Sequence, residues 1–153
     1  MTIRHISLIA AVLFTSMVIL GAARGSASMT KATAASQMRN VLGTWNCTAH
    51  GEHNTQTFSS ILRGNGMRIS AHDSEDLASF DPSHQKWIDE HIDMGGYSVM
   101  EGTPVKGGID FVQVYPAGDG KFTVRFPSKN KQVTMFSGTM NGKKVTEKAT
   151  CTR

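Results

Sequence analysis

Turn-forming clusters recur at short, regular spacing from Gly43 to the end of the chain, and they leave room for little except short strands. Gly51 with Asn54, Gly64-Asn65-Gly66, Asp81-Pro82-Ser83, Gly95-Gly96, Gly107-Gly108, Gly118-Asp119-Gly120, Ser128-Lys129-Asn130 and Asn141-Gly142 punctuate the sequence, each rich in residues that tolerate turn geometry. Asn141-Gly142 is the sharpest hairpin signal, because both residues accept positive φ. About ten segments lie between these turns, and several alternate with period two. Phe122, Val124 and Phe126 share one face against Thr123 and Arg125. Met67 and Ile69 oppose Arg68 and Ser70, Trp45 and Cys47 oppose Asn46 and Thr48, and Val145, Ala149 and Cys151 oppose Thr146, Lys148 and Thr150. One buried and one wet face is the antiparallel pattern, and no segment is long enough for the helical crossovers of a parallel sheet.

Sequential antiparallel strands joined by short turns form a meander, which exposes two edges unless it closes. Cys47 lies in the first strand and Cys151 in the last. If the two thiols are bonded, the terminal strands are neighbours and the sheet has closed on itself; the alternative is two unpaired buried thiols. The fold class expected is therefore all-β: an antiparallel up-and-down β-barrel of about eight to ten strands, residues 43–153, preceded by a short helix or tether over residues 28–42.

The N-terminus reads as an export signal. Arg4 and His5 precede an uncharged apolar run, Ile6–Leu20, followed by the small-residue stretch Gly21–Ser28. This order matches a secretory signal peptide, expected over residues 1–27 with cleavage after Ala27, or after Ala23. The run is shorter than the ~20 residues a membrane-spanning helix requires, so no stable membrane insertion is expected after cleavage. A secreted or periplasmic location follows, and it permits the disulfide. Without residues 1–27 the chain carries 14 basic and 12 acidic side chains, too balanced for a nucleic-acid-binding face. Charge is segregated nonetheless: residues 73–110 hold 9 acidic and 2 basic groups, and residues 111–153 hold 8 basic and 2 acidic.

The segment Val41-Leu42-Gly43-Thr44-Trp45 after a short helix resembles the opening of calycin-like barrels, the lipocalin, fatty-acid-binding and nitrobindin-type proteins. The pattern Phe80-Asp81-Pro82, Lys86-Trp87, Asp93, Gly95 is similar to small exported barrel domains of unassigned function. The resemblance implies that Trp45 plugs one end of the barrel, that a basic residue of the last strand, Arg153 or Lys148, packs on it, and that the interior takes a small apolar molecule. Candidate ligand-lining residues on presumptive inward faces are Trp45, Phe58, Met67, Trp87, Tyr97, Phe111, Phe122, Phe126 and Met135. Nitrobindin-type barrels hold haem through a late histidine; here His91 is the last histidine, so no cofactor is expected.

Catalytic signals are sparse. There is no nucleophile elbow and no phosphate-binding loop, and no catalytic residues are assigned. The segment Trp87–Asp93 is unusual, because either choice of inward face buries an ionisable group: Glu90 with Ile88 and Ile92, or Asp89 and His91 with Trp87. Glu90, His91 and Glu147 are accordingly the possible acid–base groups. His50 and His53 flank a turn and are read as solvent-exposed, with no metal site assigned. The functional expectation is an exported barrel binding a small apolar ligand. The alternatives are a ligand-free interaction module with a side-chain-filled interior, whose protein partner the sequence does not name, and an enzyme using Glu90 or His91.

Overall fold

The computed structural model describes residues 30–140 and 142–153, so the expected signal peptide lies outside the described residues. Helix α1 (Lys31–Val41) is followed by ten strands: β1 (Gly43–Ala49), β2 (Glu52–Ile61), β3 (Gly66–Ser70), β4 (Ser74–Asp81), β5 (Lys86–Asp93), β6 (Gly96–Val105), β7 (Gly108–Tyr115), β8 (Lys121–Ser128), β9 (Lys131–Met140) and β10 (Lys143–Thr152). Each strand pairs antiparallel with its sequence neighbours, and β1 pairs with β10, closing the barrel. The expected up-and-down barrel is therefore present, with ten strands.

Closure is covalent as well as hydrogen-bonded. Cys47 and Cys151 face each other directly in the β1–β10 register and form a disulfide. Both are buried. β8 and β9 lose register between Arg125 and Ser128. Pro127 falls in that gap, where its missing N–H would otherwise leave a hole in the ladder.

Helix α1 seals one end. The Thr30 hydroxyl caps it by accepting the Thr33 N–H at 3.1 Å, the usual way of satisfying a first-turn donor. Ala34, Met38 and Val41, spaced at i, i+4 and i+7, form its buried stripe. The Trp45 indole Nε1 donates to the Val41 carbonyl at 2.8 Å. Arg153, at the end of the last strand, stacks its guanidinium 4.6 Å from the Trp45 ring centre. The same guanidinium donates to the carbonyls of Leu42, Asn40 and Lys129 at 2.8–2.9 Å. The helix end, the first strand and the last strand are thus locked around one tryptophan. Lys148 takes no part; it pairs with Met135 in the β9–β10 register.

Candidate functional site

Beyond this sealed end the barrel is hollow. A cavity of about 560 Å³ runs through the interior, bounded by α1 residues Gln37, Met38 and Val41 and reaching Asp93, Gly95, Gly96, Pro116 and Met140 at the other end. Those last residues sit at or beside the turns opposite α1, so the mouth lies there. The wall is mostly aromatic, aliphatic and thioether: Phe58, Met67, Ile69, Trp87, Met100, Phe111, Phe122, Val124, Phe126 and Phe136 all line it. Edge and tilted ring contacts hold the wall together. Phe111 and Phe122 lie 6.1 Å apart, and Phe80 and Trp87 lie 5.5 Å apart, within the range favoured by aromatic pairs.

Seven of the nine expected lining residues border this space: Phe58, Met67, Trp87, Tyr97, Phe111, Phe122 and Phe126. The other two, Trp45 and Met135, are placed differently, and Tyr97 stands only at the rim. Trp45 is only 1% exposed and belongs to the sealed end, beside Phe58. Met135 is 42% exposed and pairs with Lys148 on the outer face, because β9 turns Gln132, Thr134 and Phe136 inward. Tyr97 borders the mouth, but it is cross-strand to the exposed Ile92, its hydroxyl donates to Glu90, and its ring packs against Tyr115.

β5 resolves the two readings of Trp87–Asp93. Trp87, Asp89 and His91 line the cavity, while Glu90 is exposed and bonded to Tyr97. Glu90 and His91 therefore stand on opposite faces of the sheet and cannot work as an acid–base pair. Glu147 faces the cavity from β10 while keeping solvent contact.

The inward face of β4 and β5 carries a polar patch that alternation within single strands does not assemble. His91 Nδ1 lies 2.5 Å from Asp76 Oδ1, its cross-strand partner, and Nε2 lies 3.3 Å from Asp93 Oδ2. With a carboxylate at each ring nitrogen, the imidazole is held as a cation. The Asp76 hydrogen bond is the main cause and burial opposes it, leaving His91 raised to about 9. Burial pushes Asp93 up, but the bonds from His91 and from the Gly95 and Gly96 amides outweigh it and hold that carboxyl below its ordinary value. Asp89, one step deeper, is 7% exposed. Burial first, and then the neighbouring charge of Asp76, push its carboxyl up to about 7, with His91 opposing. The signal for Asp76 was present in the sequence: Ala78 and Phe80 form the buried face of β4, and Asp76 continues it.

Among the described residues, no group of three His, Cys, Asp or Glu side chains is placed to hold a metal ion. His53 instead shares a 3.0 Å hydrogen bond with Thr48. Among those residues no helix is long and apolar enough to cross a membrane. The structure thus defines a closed antiparallel β-barrel with a helix-sealed end and a mostly apolar chamber. No family model matches the chain, and no curated protein matches its sequence.

Proposed function

We propose that this protein is an exported binding barrel that holds a small, largely apolar molecule in its interior. The observation that carries this reading is the cavity of about 560 Å³ with its aromatic and thioether wall. That size falls within the range of small-molecule sites, and apolar lining with a few placed polar groups is their common chemistry. A disulfide at the closure seam supports an oxidising, extracytoplasmic location. The exterior carries charged pairs, Arg68 with Glu75 and Arg125 with Asp110, and such charges on an outer face are costly in lipid, which supports a carrier acting in water.

A ligand-free interaction module with a filled interior fits a hollow barrel poorly. The chemistry of a hydrolase or transferase is also poorly served, because the one inward histidine among the described residues is engaged at both nitrogens. Native mass spectrometry of the protein purified from its own host tests the proposal. The expected result is a co-purifying small molecule that dissociates on unfolding. A mass equal to the bare chain, together with failure of any apolar fluorophore to enter the barrel, would overturn it.

A further inference from the structure

The cavity wall is chemically one-sided, and this bears on which small molecule the barrel holds; the inference rests on the ligand-chamber reading above. Asp76, Asp89, Asp93 and Glu147 all line the chamber, and among the described residues no lysine or arginine does. The arginines nearest in the sheet are committed elsewhere: Arg68 to Glu75, Arg125 to Asp110, and Arg153 to the sealed end. The single inward cation among the described residues, His91, is already shared between Asp76 and Asp93.

A second observation is independent of that cluster. Asp89 and Gln132 are 7% and 4% exposed, both line the cavity, and Asp89 Oδ1 and Gln132 Oε1 have no hydrogen-bond partner. Gln37 Oε1, on the cavity floor, is in the same position. Trp87 Nε1 is an unpaired donor on the same wall. Buried polar atoms are costly to leave unpaired, so three acceptors against one donor ask for a ligand that brings N–H groups. An alkyl carboxylate would meet like charge, and a plain hydrocarbon would leave the acceptors unmet. A protonated amine brings positive charge and up to three donors at once.

We propose that the barrel selects a small amphipathic amine, its apolar body among Phe58, Met67, Phe111 and Phe122 and its ammonium group donating to Asp89 Oδ1. Donation, rather than charge alone, makes a primary amine a better fit than a quaternary one.

The test titrates the disulfide-intact protein at pH 8 with decylamine, decyltrimethylammonium, decanol and decanoate, read by tryptophan fluorescence and calorimetry. Decylamine is expected to bind roughly tenfold or more tighter than the other three, the scale of one charge-assisted hydrogen bond. Asp89→Asn is expected to remove that preference. Decanol or decanoate binding as tightly as decylamine would overturn the amine inference while leaving the apolar chamber intact. Binding by none of the four would overturn both. A preference that survives in Asp89→Asn would remove Asp89 as the recognising group. The comparison among probes needs only the wild-type chain, so it holds even if the variant folds poorly.

Discussion

Replacing Asp89 by asparagine should stabilise the empty barrel, and by an amount that depends on pH in a defined way. In the fold this carboxyl is raised from 3.8 to about 7, chiefly by burial. Below the unfolded value both states are protonated and the carboxyl costs nothing. As pH rises from 3.8 towards 7, the unfolded chain ionises while the folded chain keeps its proton, so folding loses stability. Above about 7 the penalty is complete. A shift of this size corresponds to a ceiling of about 4 kcal/mol. Redistribution of charge among Asp76 on β4, His91 and Glu90 on β5, and Glu147 on β10 reduces it, and about 2–4 kcal/mol is the working expectation. The asparagine side chain would have nearly the same shape and would not titrate. Urea unfolding of wild type and Asp89→Asn, followed by tryptophan fluorescence with the disulfide intact, should give equal stabilities near pH 3.5 and a widening gap that levels off by pH 8. His91 contributes separately: its raised value means stability present below 6.5 and lost as pH rises through about 9, and this cancels to first order between the two proteins. A variant less stable than wild type at pH 8, or a gap that does not change with pH, would refute the burial argument.

Arg153→Ala should cost about 1–3 kcal/mol, because it removes charge-assisted bonds to three carbonyls and the stacking on Trp45; chemical unfolding measures the loss, and a red-shifted Trp45 emission should accompany it. Gly108→Ala should cost about 3 kcal/mol or more, since a Cβ there would lie 1.9 Å from the Val124 carbonyl oxygen, and backbone cannot rotate away; a thermal midpoint equal to wild type would count against so close an approach of β7 to β8. Ala78→Trp projects a large ring from the buried inward face of β4 and should abolish uptake of an apolar fluorophore while leaving the far-ultraviolet circular dichroism of the barrel in place.

The closed barrel was legible in the sequence because alternation, turn spacing and the two cysteines are local or nearly local signals. Phe122, Val124 and Phe126 could face only one way, and Cys47 opposite Cys151 required neighbouring terminal strands. β9 was not legible in the same way. Its segment Gln132-Val133-Thr134-Met135-Phe136 offers apolar residues to both faces, so alternation does not choose, and an inward Met135 fits the pattern as well as an outward one. Tertiary pairing decides instead: Phe122 is cross-strand to Phe136, and that register keeps Phe136, Thr134 and Gln132 on the inward face. Tyr97 borders the chamber only at its rim, since an aromatic near a turn can serve the rim as well as the core. The polar patch failed to emerge for a different reason. Asp76, Asp89, His91 and Asp93 come from two strands, and only the β4–β5 register brings Asp76 opposite His91.

The position of the disulfide follows from where the barrel is weakest. β1 meets β10 only over Asn46–Ala49 and Ala149–Thr152, whereas β9 and β10 pair along their whole length. A meander closes last at the junction of its ends, and those ends are the most distant in sequence, 104 residues apart at the two cysteines. Closing so long a loop without a covalent link carries the largest entropic cost of any pairing in the sheet. Replacing both cysteines by serine should therefore remove about 2–4 kcal/mol. The loss should also be localised: hydrogen exchange should rise first in β1 and β10, the two strands that become edges when the seam parts. The cavity reaches the strand beside that seam, since Gln132 of β9, cross-strand to Cys151, lines it, so uptake of an apolar fluorophore should fall as the seam opens. Uniform loss of protection across all ten strands would mean instead that the barrel unfolds as one unit and that the β1–β10 junction is no weaker than the rest.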